Sequence, residues 1–188
     1  MIHGITGQDI PLSIKGREEA KNAGAKLKDE VFTGVYCSNT VRTHETASLI
    51  LNENAHDNDA SHIQRWEVLR ERDWGVMEGH PTSVLHKEVA RLGLKTRREI
   101  LLKYNPEGGE TLDDLRQRAR KVIEALLEKA FSEKTSSSSS SKSPNLLVAT
   151  HGLTLFEIVR CLAEEMLCTM PCDEKVYGEQ GHTNTGIT

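Results

Sequence analysis

Residues 145–152 read Asn145-Leu-Leu-Val-Ala-Thr-His-Gly152, a short apolar run that stops at a histidine and a glycine. The run has the composition of a parallel-sheet strand buried on both faces, and it is too short to span a membrane. His151 then stands at the carboxyl end of the strand, the edge where open α/β sheets take their ligands. Gly152 permits close approach of backbone and ligand. Leu155, Ile158, Val159 and Leu162 follow on one helical face. A titratable ring at a strand mouth, above a helix N-terminus, is placed to handle an anion. The same ring could equally do no more than end the strand.

Strand and helix signals alternate outward from this point. Ser13 can cap a helix that runs through Ala20, Ala23 and Leu27. Residues 31–38 are β-like, with Val31, Phe32, Val35 and Tyr36 close together, and a helix from about residue 39 offers Val41, Ala47, Leu49 and Ile50 to a core. Residues 52–61 read as a loop, 63–69 as a half-buried strand, and 83–92 and 97–103 as helices. Thr111 with Asp114 forms a capping-box variant at the head of the clearest helix. There Leu112, Leu115, Ala119, Val122, Ile123, Leu126 and Leu127 recur at helical spacing. Residues 136–141 are all serine, and the surrounding segment, about 132–144, is expected to be a disordered surface insertion. Strands separated by helices imply an α/β fold with a mainly parallel sheet. The 188 residues suit one domain, 1–188, with no internal repeat.

Composition excludes several classes. A formal net charge of −4 argues against a general nucleic-acid binder. No apolar stretch has membrane-spanning length. The first 13 residues lack a basic region followed by an apolar core, so a cytoplasmic location is expected. Cys37, Cys161, Cys168 and Cys172 form no CxxC pair, and no His pair completes a zinc site with Cys168 and Cys172, so free thiols in a reducing compartment are expected. Aromatic residues are only 4 %, which leaves the core to Leu, Val, Ile and Ala.

Three further segments could carry chemistry. In Tyr36-Cys-Ser-Asn-Thr-Val-Arg-Thr-His-Glu-Thr-Ala47 a strand again gives way to a helix, and Arg42 lies in the first turn, where free N–H groups and the dipole favour an anion. By itself Arg42 reads more simply as a surface residue paired with Glu45. In Val68-Leu-Arg-Glu-Arg-Asp-Trp-Gly-Val-Met-Glu-Gly79, Glu71 follows a strand signal. Partly buried beside Trp74 it could be a general acid, whereas Arg70 and Arg72 would hold it ionised. In Pro106-Glu-Gly-Gly-Glu-Thr111, Glu107 reads as architecture and Glu110 could line a pocket.

Taken in order, these pieces resemble the histidine phosphatase superfamily, also called the phosphoglycerate mutase-like family. The matching residues are Ser38-Asn-Thr-Val-Arg-Thr-His-Glu-Thr46, Leu69-Arg-Glu-Arg-Asp-Trp-Gly75 with Glu78-Gly79, Gly108-Gly-Glu-Thr111 and Thr150-His-Gly152. Asp9-Ile-Pro-Leu-Ser-Ile-Lys-Gly16 is similar to the family's Pro-Leu-Ser/Thr-x-x-Gly segment, and Asn184-Thr-Gly186 to its last motif. The resemblance implies a three-layer α/β fold, a mainly parallel sheet flanked by helices. It implies a phosphomonoesterase that works through a phosphohistidine intermediate on a small sugar bisphosphate such as fructose 2,6-bisphosphate. On this resemblance Arg42 binds phosphate, Glu71 is the acid and base, and His151 is the second histidine. Gln8, Gly152 and Asn184 contact phosphate or substrate. It implies no cofactor and no metal.

The family opens on a strand ending in Arg-His-Gly-Glu, whose histidine is the nucleophile, and this sequence holds no such tetrad. His3-Gly4 lacks a preceding apolar strand, and the interval to Pro11-Leu12 is too short. The expectation from sequence is therefore a chain truncated at both ends, inactive as it stands. Loss of a central strand would leave neighbouring strands unpaired, at about 1–3 kcal/mol for each buried unsatisfied group. Such a chain is expected to be marginally stable. The alternatives are a catalytically dead form that keeps a phosphate-binding half-site and, within the enzyme class, a phosphoglycerate mutase. A fused kinase is excluded by the missing Gly-Lys-Ser/Thr loop.

Overall fold

The computed structural model describes residues 2, 4, 9–56, 59–96, 99–100, 103–136 and 143–166. Helix α1 (Ile14–Lys26) begins where Ser13 Oγ accepts from the Gly16 N–H at 3.0 Å. Strand β1 (Gly34–Ser38) leads into α2 (Val41–Asn52). Strand β2 (Gln64–Trp66) is followed by a 3-10 turn, Glu67–Leu69. Helix α3 (Thr82–Arg91) and the long α4 (Leu112–Ser136) come next. Strand β3 (Leu146–Ala149) passes into α5 (Gly152–Arg160), which ends in a π-helical turn, Cys161–Glu165.

The described strands form a parallel sheet in the order β2-β1-β3. Tyr36 lies opposite both Gln64 and Val148, and Cys37 opposite Arg65 and Ala149, so the carboxyl ends align. Alternation along β1 sends Val35 and Cys37 to one face and Tyr36 to the other. On the first face they pack with Ala47, Leu51, Ile63 and Ala149. On the second, Tyr36 packs with Leu69 of the 3-10 turn and with Ala119, Val122, Ile123 and Ile158 of α4 and α5. Helices therefore cover both faces, the three-layer α/β arrangement expected from the resemblance. Helix α1 lies on α2, and close approach there requires Gly24: a Cβ at this position would stand 2.9 Å from the Ile50 carbonyl. A third cluster (Ile2, Trp74, Met77, Leu85, Val89, Tyr104) forms around α3.

Several extents differ from the sequence reading. Strand β1 starts at Gly34, not Val31, because its pairing partner Leu146 starts there; Val31 is exposed. The 63–69 strand is cut to three residues by the 3-10 turn. Val41 and Leu127 face solvent, not the core. Helix α4 continues through Ser136, into the segment expected to be disordered from 132, since no glycine or proline interrupts it before Pro144. The Thr111–Asp114 cap is present in both directions: the Asp114 N–H donates to Thr111 Oγ1 and the Thr111 N–H to Asp114 Oδ2, each at 3.1 Å.

Candidate active site

The site is built at the carboxyl edge of the sheet by two strand-to-helix turns. At the end of β3, Thr150 Oγ1 donates to the Leu69 carbonyl at 2.7 Å and anchors the turn. His151 follows as the buried N-cap residue of α5, yet its side chain makes no capping bond. Its ring instead crosses to β1. Nε2 lies 3.0 Å from Ser38 Oγ and Nδ1 lies 3.2 Å from Arg42 Nη2. Burial pushes the His151 pKa down to about 3, and the nearby Arg42 and Arg118 charges push the same way. The ring is neutral at physiological pH.

Arg42 occupies the first turn of α2, whose N-cap Thr40 supplies no side-chain cap. Burial lowers its pKa while the Glu71 charge raises it. The expected local partner, Glu45, is not its partner. Glu45 accepts from Arg17 Nε of α1 and from the Leu12 N–H at 2.9 Å. The pairing with Arg42 suggested by sequence fails because α1 brings a second guanidinium to Glu45, and Arg42 turns toward His151.

Glu71 supplies the cap that His151 does not. Its carboxyl accepts from the Leu153 and Thr154 N–H groups at the head of α5, both at 3.3 Å, and from the Arg72 N–H at 2.9 Å. These bonds lower its pKa, as does the Arg118 charge, but desolvation is the largest influence and the net direction is up. The competition left open by sequence is thus decided by burial. The flanking arginines are occupied elsewhere. Arg72, fully buried, donates from Nε to the Glu110 carbonyl at 2.8 Å and from Nη2 to the Tyr104 carbonyl at 2.9 Å, and lies over the Trp74 ring. Arg70 Nη1 lies 3.7 Å from Glu110.

Glu110 stands just before α4. It is buried in a two-pronged pair with Arg118, Nε to Oε1 and Nη2 to Oε2 at 2.7 Å each. Arg118 also donates from Nη1 to the Val68 and Arg70 carbonyls, at 2.9 and 2.8 Å, and so fastens the segment before Glu71 to α4. Glu107 is architectural, as read: its carbonyl accepts from the Val76 N–H at 3.0 Å, beside Gly75 at φ +50°. Arg118, Ser38 and Thr154 escaped the sequence reading. Only Ser38, the polar end of an apolar strand, carried a visible signal.

Gly152 is exposed at the first position of α5, and a Cβ there would lie 4.0 Å from Glu71 Oε2. Gly4 approaches the Glu71 segment closely: a Cβ there would fall 2.4 Å from the Arg72 carbonyl. His3, Gln8 and Asn184 lie outside the described residues, as do Cys168 and Cys172. Cys37 and Cys161 are buried free thiols, and burial pushes the Cys37 pKa up to about 11. Among the described residues no helix is long and apolar enough to cross a membrane.

The parallel sheet thus gathers an arginine, a neutral histidine and a carboxyl of raised pKa at its carboxyl edge, in an α/β protein. The chain matches the histidine phosphatase superfamily (branch 1) over residues 4–174, and it belongs to that family. It is 33% identical over 189 residues to fructose-2,6-bisphosphatase TIGAR B of Danio rerio, a match covering 90% of this chain and 71% of the relative. It is 38% identical over 127 residues to fructose-2,6-bisphosphatase TIGAR of Bos taurus, covering 68% of this chain and 45% of the relative. Thus it spans less than half of the bovine protein. The phosphoglycerate mutase of Bacillus anthracis str. Sterne superposes with a TM-score of 0.67 at 25% identity, over 87% of this chain and 73% of that one.

Proposed function

We propose that this chain carries the phosphate-binding and acid–base part of a phosphomonoesterase centre acting on a sugar bisphosphate such as fructose 2,6-bisphosphate. The observation that supports this most is the convergence of Arg42 Nη2 and His151 Nδ1, 3.2 Å apart, at the head of α5 beside Glu71. Relatives named as fructose-2,6-bisphosphatases support the substrate class.

In this reading Arg42 stabilises the phosphoryl oxygens as charge builds in the transition state, and His151 orients its guanidinium through Nδ1. The raised pKa of Glu71 favours a protonated carboxyl, which gives its proton to the leaving sugar oxygen. The resulting carboxylate then takes a proton from the attacking water. Gly152, Gln8 and Asn184 contribute to the phosphate or substrate pocket. The partner is a small phosphorylated sugar in the cytoplasm, with no cofactor and no metal required.

Inorganic phosphate binding tests the site. Arg42→Ala is expected to weaken it by about tenfold or more, the scale of one charge-assisted bond. Binding that is absent, or unmoved by Arg42→Ala, overturns the reading. Since the 188 residues hold no Arg-His-Gly-Glu tetrad, they are expected to bind without turnover. Phosphate release from fructose 2,6-bisphosphate that His151→Ala abolishes would instead place a nucleophile within them.

A further inference from the structure

We propose that Ser38 is a positioning residue for His151: it holds the neutral imidazole with its proton on Nε2, so that Nδ1 accepts from Arg42 and steadies the guanidinium that meets the phosphoryl group. This inference rests on the phosphate site proposed above. It follows from the direction of three hydrogen bonds. A guanidinium can only donate. Arg42 Nη2 lies 3.2 Å from Nδ1, so Nδ1 accepts and carries no hydrogen. A neutral ring then bears its single proton on Nε2. Nε2 lies 3.0 Å from Ser38 Oγ, which must accept. The hydroxyl's own proton points on to Asn39 Oδ1 at 3.4 Å. The chain of donors runs one way, from Arg42 through His151 and Ser38 to Asn39.

Ser38 is suited to this task by its place in the fold. It is the last residue of β1, fully buried, and paired with Trp66 of β2 in the sheet register. Its carbonyl accepts from Thr43 Oγ1 of α2 at 3.0 Å, which ties the strand end to the helix that carries Arg42. The hydroxyl is therefore fixed relative to both partners of the ring. Without it, a buried Nε2–H would lose the acceptor it has among the described residues, and the proton would be driven to Nδ1. An Nδ1–H would then point at the Arg42 guanidinium, and the ring would turn away from Arg42. With Ser38 in place, Nδ1 keeps its lone pair on Arg42, and the guanidinium is held where it can meet a phosphoryl oxygen.

The test is the tautomer of His151, read from two-bond nitrogen–proton correlations on the 15N-labelled chain, together with a titration of inorganic phosphate. The wild-type chain is expected to show the Nε2–H form. Ser38→Ala is expected to shift His151 toward Nδ1–H and to weaken phosphate binding on the order of tenfold, while Ser38→Thr retains the hydroxyl and restores both. Ser38→Cys, close in size and a much weaker acceptor, gives the same reading if the alanine chain fails to fold. An Nε2–H tautomer unchanged in Ser38→Ala overturns the proposal, and so does unchanged phosphate affinity alongside a shifted tautomer. A wild-type chain that binds no phosphate, yet loses its Nε2–H form in Ser38→Ala, upholds the hold of Ser38 on the ring and overturns the phosphate site.

Discussion

At the scale of single residues, the site rests on two groups that titrate in opposite senses. Burial raises the Glu71 pKa above its unfolded value, so its contribution to stability is full below about pH 4.5 and is lost as pH rises through the folded pKa. His151 behaves in the reverse way. With a folded pKa of about 3, its contribution is full above the ordinary imidazole pKa and is lost as pH falls toward 3. Glu71→Gln separates the two, because His151 is common to both chains and cancels in their difference. Gln keeps an oxygen for the Leu153 and Thr154 N–H groups but does not titrate. The stability of Glu71→Gln relative to wild type is therefore expected to be higher at pH 8 than at pH 4.5. Urea unfolding of both chains at the two pH values measures this, and a difference independent of pH would show that burial does not raise the Glu71 pKa.

At the scale of elements, Arg118 of α4 decides where the Glu71 segment lies. Its guanidinium pairs with buried Glu110 and donates to the Val68 and Arg70 carbonyls, so one side chain joins two loops and a helix. Arg118→Met leaves the Glu110 charge buried without its two-pronged partner, a loss of about 3–5 kcal/mol for such pairs. Adding Glu110→Gln is expected to recover part of that loss, which denaturant titration of the single and double variants will measure; additive losses would falsify the coupling. Such elements were unevenly legible in sequence. The caps at Ser13 and Thr111 could be read because a cap is settled within four residues. The turn at His151 could be read because an apolar strand stops there. The lengths of β1 and β2 could not, since pairing across the sheet sets them. Nor could the meeting of Arg42 and His151, 109 residues apart, be read without the family resemblance. Glu45 misled for a related reason: spacing of three on a helix suggests a local pair, but Arg17 reaches it from another helix.

At the scale of the whole molecule, the weakest part of the described structure is the outer edge of the sheet. A parallel strand in a three-layer fold is ordinarily buried on both faces. β1 fits that rule, with Val35, Tyr36, Cys37 and Ser38 all buried. β3 does not: Leu146, Leu147 and Val148 are only half-buried, and only Ala149 is buried. Among the described residues β3 has β1 as its one strand neighbour. Among the described residues no strand pairs with its other edge, which lies next to half-buried leucine and valine, the combination that invites pairing with a second chain. Each backbone group left buried and unpaired costs about 1–3 kcal/mol, against a typical domain stability of about 5–15 kcal/mol. The isolated 188-residue chain is therefore expected to unfold below the usual mesophile range of about 45–65 °C and to associate increasingly with concentration. Leu147 packs on the α2 face with Val35 and Cys37, while Leu146 and Val148 pack on the α4–α5 face, so association through this edge would leave both clusters intact. Calorimetry combined with light scattering across a concentration series decides the matter. A reversible, cooperative transition within that range, independent of concentration, would mean that the β3 edge is covered within the same chain.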